Sequence, residues 1–319
     1  MPVRSTTSLL EAATIYVQSN GYSVLQKRYP ALDALRRSKA NNFLSINGTQ
    51  IAVNTSQHGA NPWAYIDTGV VAQTTAQAYY NTETDYAKYV MAQVQAPWVI
   101  TPEQAKLFDE AAQPKKGIIV EQIADDMMKH YFNFCAEKVG GSGGATNQTK
   151  TTFGSFNYLL DSANSVGGIA PGTGHAAYNA ANWVLSPGNA FALLRIMRNV
   201  RSAEPDIWVF SSATGGNDLV GKVDNWLTAA QMRMTDQDRN VGVDARMFCG
   251  VPFYELSTLP ANEICLLDSS KWCYGLPLAP DKTEKYILPG TAAEAETQFA
   301  FGFNVPLVAR AHARMTGCQ

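Results

Sequence analysis

The sequence predicts an α+β fold in which one long helix is flanked by strands and followed by an α/β unit. Three stretches carry that expectation. Between Lys115 and Lys138, Val120, Ile123, Ala124, Met127, Tyr131, Phe134 and Cys135 recur at the spacing of one helical face. Glu121, Gln122, Asp125, Lys129 and Asn133 fall mostly between them, as a wetter face would. From Pro205 onward, Ile207-Trp208-Val209-Phe210 is apolar on both faces, as in a central strand. Leu219, Val220, Val223, Trp226, Leu227 and Ala230 then follow a helical period. Near the C-terminus Phe299, Phe301, Phe303, Val305 and Leu307 alternate strictly, which predicts a long strand with these residues on one buried face, ending in Arg310, His312 and Arg314.

The long helix opens after Pro114 and stops before Gly140-Gly141. At 1.5 Å per residue it would run about 35 Å, the width of a small domain. Residues 1–40 read as two short helices. Ser8-Leu9-Leu10-Glu11 forms a capping box ahead of Ile15, Tyr16 and Val17. Pro30 opens the second, which holds Leu32 and Leu35 and ends in Arg36, Arg37 and Lys39, where cations suit the dipole. Neither has the apolar surface to stand alone.

Residues 45–100 are rich in Thr, Gln, Asn, Ala, Tyr and Val and nearly uncharged. Trp63-Ala64-Tyr65-Ile66 and Tyr89 to Val94 read as the strands of a long hairpin, with polar sequence from Thr68 to Asp85 between them. A hairpin without a third layer is marginal, so another subunit is expected to cover it. Pro97, Pro102 and Pro114 punctuate the approach to the long helix. Thr152 to Leu185 reads as irregular, and a helix begins at Ser186-Pro187. Val251-Pro252-Phe253 and Ile264 to Leu267 read as further strands.

Composition narrows the function. The 319 residues are 46% apolar, 16% charged and carry a net charge of −2. That charge is low for a globular surface and unlike a dedicated nucleic-acid binder. The start has no apolar signal-peptide core, and no stretch approaches a membrane span. Five scattered cysteines, Cys135, Cys249, Cys265, Cys273 and Cys318, predict buried thiols and no disulfide framework. No catalytic constellation emerges, and no metal or cofactor is expected. Ser142 sits in a G-x-S-x-G run, but after a helix and before a polar loop, the wrong context for a nucleophile. Asp236, Asp238 and Asn240 begin like a calcium loop, yet Val241 and Met247 stand at the positions of its Gly and Glu. His58, His130, His175 and His312 are scattered.

The order of parts resembles the major capsid proteins of tailed bacteriophages, the Hong Kong 97-like fold. Phe153-Gly154-Ser155-Phe156-Asn157-Tyr158, Val166-Gly167-Gly168-Ile169 and Trp183 are similar to that family's "GL…GGI…W" region, with Ser155 where Leu is usual. Glu204 to Phe210, and Gly242 followed by Phe248 to Phe253, are similar to its "pd…v" and "f.G.Pv" stretches. The resemblance implies an N-terminal arm over residues 1–45 and an extended E-loop over 46–97. It implies a peripheral domain over 98–186 with a spine helix at 115–138, an axial domain over 187–283, and a return through 284–319. It further implies a virion head protein, assembled in the host cytoplasm from hexamers and pentamers around double-stranded DNA contacted non-specifically. No membrane is involved, and no active site, cofactor or metal. A separate scaffolding protein is expected, because only about 45 residues precede the E-loop, and so are a portal and decoration proteins. Trp63, Tyr65, Tyr89, Arg36 and Arg37 are the expected inter-subunit contacts. Lys88 is the only lysine between Ala40 and Pro97 and lies on the return strand, so covalent crosslinking through the E-loop is not expected. The alternatives are an encapsulin-type compartment shell of the same fold and an α/β hydrolase-like enzyme.

Overall fold

A computed structural model describes residues 9, 12–17, 19, 25, 29–36, 45–47, 50–56, 84–142, 154–169, 176–212, 216–229, 246–275, 282–287 and 294–319. The elements, in order, are α1 (Pro30–Arg36), β1 (Ser45–Asn47), β2 (Gln50–Ser56), β3 (Thr84–Val90), β4 (Ala92–Ile100), α2 (Pro102–Glu110) and α3 (Gln113–Glu137). Then come α4 (Phe156–Leu159), β5 (Tyr178–Ala181), α5 (Pro187–Asn199), β6 (Ile207–Ser211) and α6 (Leu219–Ala229). The remainder is β7 (Arg246–Phe248), β8 (Val251–Leu256), β9 (Ile264–Leu267), β10 (Trp272–Gly275), β11 (Lys282–Ile287), β12 (Glu294–Pro306) and β13 (Ala313–Thr316).

The long helix forms where its periodicity predicts, but its buried face is rotated. Ala124, Met127, Met128, Phe132, Cys135, Ala136 and Val139 are fully buried, while Val120, Ile123, Tyr131 and Phe134 are only partly so. In this half the helix is apolar on most sides, so spacing alone does not single out the deepest face. Its end is fixed by the glycine run. A Cβ on Gly140 would lie within 2.5 Å of backbone atoms of Thr258. The G-x-S-x-G match is thus a close helix-to-loop approach.

A six-stranded sheet, ordered β5-β13-β9-β6-β8-β7, forms a wall between two apolar cores. Successive side chains point to opposite faces. Along β6, Ile207 and Val209 enter the core shared with α3, and Trp208 and Phe210 enter the core under α5 and α6. Cys265 and Leu267 of β9 face the first core, and Ile264 and Leu266 the second. The central strand predicted from its apolar run is therefore buried on both sides. β5, parallel to β13, lies inside the stretch expected to be irregular.

A second sheet centres on β12, which pairs antiparallel with β4, β10 and β11. β12 does not bury the single face that its alternation predicts. Gln298, Ala300 and Asn304 are buried, Phe303 and Val305 are buried too, and Phe299 and Phe301 are half-exposed. Around Gln298 and Ala300 the even-numbered residues turn inward, Gln298 reaching Thr14 Oγ1 at 3.1 Å, while Ala295 nearer the start is buried too. The second half is covered on both faces. Gly275 admits this, since a Cβ there would overlap the Phe303 ring. Pro97 lies within β4, whose only strand partner among the described residues is β12, an edge setting in which proline is tolerated.

The hairpin also differs from expectation. β2 pairs with β3 from Gln50↔Val90 to Ser56↔Thr84, and β1 adds a third strand. The strand predicted at Trp63–Ile66 lies outside the described residues. The one predicted from Tyr89 to Val94 is divided at Met91 between two sheets. Where the N-terminal region is described, Leu9, Ala13, Val17, Leu25, Leu32 and Leu35 are all buried in the first core. The subunit's own sheets supply the apolar partners that these short helices lack.

Candidate functional site

Of the five expected contact residues, Trp63, Tyr65 and Arg37 lie outside the described residues. Tyr89 is 2% exposed and its hydroxyl donates to the carbonyl of Pro306 at 2.8 Å. It is a core residue of its own chain, and no neighbour is needed to bury it. Arg36, half-buried, closes α1, and its charge acts on the buried Tyr274. The two that are described differ in setting, Tyr89 in the core and Arg36 half-buried at a helix end.

Exposed apolar side chains mark other faces. Val99, Leu107 and Ile118 lie on β4, α2 and the start of α3. Val184, Phe191, Val200 and Met247 lie on and around α5 and on β7. Just after Met247 in sequence, Cys249 Sγ lies 3.8 Å from the carbonyl of Pro187 at the start of α5. Single exposed apolar residues are ordinary; a 65% exposed Leu107 and a 75% exposed Val200 on short helical segments are stronger candidates for contact. The capping box of α2, Thr101 with Gln104, was legible in the sequence and marks the helix that the proline reading passed over.

The buried polar groups serve structure. Burial pushes the thiols of Cys135, Cys273 and Cys318 up to about 12 and that of Cys249 up to about 11. Such thiols are not activated nucleophiles. Among the described residues no group of three His, Cys, Asp or Glu is placed to hold a metal ion, and no helix is long and apolar enough to cross a membrane. The stretch containing Asp236, Asp238 and Asn240 lies outside the described residues, as do His58 and His175.

His312 is fully buried beside Trp272, ring centroids 5.0 Å apart. Its Nδ1 accepts from the Asp268 amide at 3.2 Å, and Nε2 lies 3.1 Å from the Lys271 carbonyl. An acceptor at one nitrogen and a donor at the other define the neutral ring with its proton on Nε2. Burial lowers its pKa from 6.5 to about 4, against the pull of the Asp268 carboxylate and with the push of the Lys271 ammonium. The stability that follows is complete above the unfolded-state value near 6.5 and is lost as pH falls towards 4. His312→Gln is expected to flatten the stability of the unassembled subunit between pH 6.5 and 4.5 by up to about 1.4 kcal/mol per pH unit. Urea titrations at both pH values check this; an unchanged slope would assign the acid sensitivity to another group.

No family model matches the chain, and no curated protein does. Solved structures match over most of their length. The capsid protein of cyanophage A-1(L) aligns with a TM-score of 0.53 at 16% identity, covering 91% of this chain and 92% of that one. The capsid protein of a native GTA particle aligns with a TM-score of 0.52 at 13% identity, covering 85% of each. The SrpI encapsulin of Synechococcus elongatus PCC 7942 aligns with a TM-score of 0.51 at 14% identity, covering 86% and 84%. The chain has the Hong Kong 97-like fold that these shell-forming proteins share.

Proposed function

We propose that the chain is the repeating subunit of a closed protein shell, and specifically the major capsid protein of a tailed double-stranded DNA bacteriophage. The observation that supports this is the near-complete overlap with shell proteins, 92% of the cyanophage capsid chain included. On this reading the protein works by geometry and catalyses nothing. Hexamers and pentamers tile an icosahedral head in the host cytoplasm, with a separate scaffolding protein, a portal and decoration proteins as partners. The DNA meets the inner wall without sequence preference, in keeping with a net charge of −2.

An encapsulin-type compartment is the second reading, favoured by the alignment to SrpI at a TM-score of 0.51. Expression of the chain alone and with the neighbouring genes of its source, followed by sedimentation and negative-stain microscopy, tests both. Closed particles or capsomers are expected. Particles that need a scaffold and fill with DNA support the capsid; particles that form alone around a protein cargo support the compartment. A compact monomer under every condition overturns both.

A further inference from the structure

We infer that α2 and the first turns of α3 form a two-fold contact with a second copy of this chain; the inference rests on the shell reading above. The two helices meet at Ala111-Ala112, and among the described side chains of α2 only the half-buried Phe108 reaches the apolar core. A nine-residue helix needs more tertiary burial than one side chain provides. Leu107 and Ile118 stand exposed on either side of the joint.

The charges point to what covers them. Asp109 and Glu110 occupy the last turn of α2, which has no basic residue, and Lys115 and Lys116 occupy the first turn of α3, which has no acidic one. Each pair opposes its own helix dipole, which favours cations at the C-terminal end and anions at the N-terminal end. Neither pair serves its own helix. Nor do they serve each other: among the described residues Glu110 pairs only with Lys106, at 3.8 Å, and Asp109 and Lys115 have no ion pair. Lys116 lies over the Phe108 ring, 5.1 Å from its centroid. The joint therefore carries two carboxylates and two ammonium groups within one short stretch of chain, flanked by exposed Leu107 and Ile118. A copy rotated by a two-fold axis presents the same surface with the signs exchanged, so that each copy's Asp109 and Glu110 face the other's Lys115 and Lys116.

Two charge-swapped chains test this. Asp109→Lys with Glu110→Lys, and Lys115→Glu with Lys116→Glu, each align the altered charges with the local dipole, which offsets the lost Lys106–Glu110 pair and the lost Lys116–Phe108 contact, so the subunit should stay folded. Circular dichroism and urea midpoints check that. Each variant alone should lose at least tenfold in particle yield, like charges now meeting across the axis. Co-expressed, the two should recover yield to within a few-fold of the original protein, because unlike copies again present opposite signs. Normal particles from either variant alone, or no recovery on mixing, overturn the contact while the shell reading stands. If the unaltered chain forms no particles, the shell reading fails and the contact falls with it.

Discussion

Arg314→Met is expected to destabilise the subunit by about 3–5 kcal/mol, the cost of leaving a buried charge without its partner. Arg314 is 7% exposed on β13, and its planar fork grips Glu263, Nε to Oε2 at 3.0 Å and Nη2 to Oε1 at 2.6 Å. The remaining donor reaches the carbonyl of Asn157 at 2.9 Å and lies 3.7 Å from Asp161. Burial alone would lower the guanidinium pKa, but hydrogen bonding and charge from Glu263 hold it above its ordinary value. A lysine cannot reproduce the fork, so Arg314→Lys should recover little. Removing both charges with Arg314→Met and Glu263→Leu should recover much of the loss. Urea denaturation of the three variants decides. A double variant as weak as the single one would show that the donor to Asn157, and not the ion pair, is what the site needs.

Trp272→Ala is expected to cost a similar 3–5 kcal/mol through the cavity it opens. The indole is fully buried, packed on Phe156 at 5.2 Å between ring centroids. Its N–H donates to Asn304 Oδ1 at 2.8 Å, and Asn304 Nδ2 donates to the Gly154 carbonyl at 2.8 Å. One tryptophan thus couples β10, β12 and the segment leading into α4. Trp272→Phe keeps most of the volume and removes only the donor, so about 1–3 kcal/mol is expected from the unsatisfied Asn304 oxygen. Equal losses for Phe and Ala would make the hydrogen bond, and not packing, the dominant contribution.

The elements most legible in the sequence are those whose pattern matches one local environment. β6 reads as central because Ile207 to Phe210 are apolar without a break, and α6 reads as a helix because one stripe is apolar and the rest is not. Patterns that straddle two environments mislead. The aromatics of β12 alternate across a strand whose inner face holds Gln298 and Asn304, residues that hydrophobicity places outside. His312 and Arg314 read as a polar strand end, yet both are buried, because their partners, Asp268 and Glu263, are about fifty residues away in sequence. Contact surfaces are harder still. An aromatic that will meet a neighbour and one that packs at home look alike in a sequence. Tyr89 belongs to the second kind, and only the path of the hydroxyl to Pro306 distinguishes it.

The placement of β12 and β13 has a consequence for synthesis. Each lies between strands translated earlier: β12 between β4 and β11, and β13 between β5 and β9. A nascent chain that has reached residue 290 holds neither sheet in its final order. Its earlier strands must wait for the last ones, a strongly non-local pairing that slows folding. During that interval the apolar faces of the long helix and of β9 have no complete cover, and they are open to capture by other chains or by chaperones. The step that completes the subunit is therefore a late one, and translation of residues 294–316 sets when a copy first becomes a finished building block.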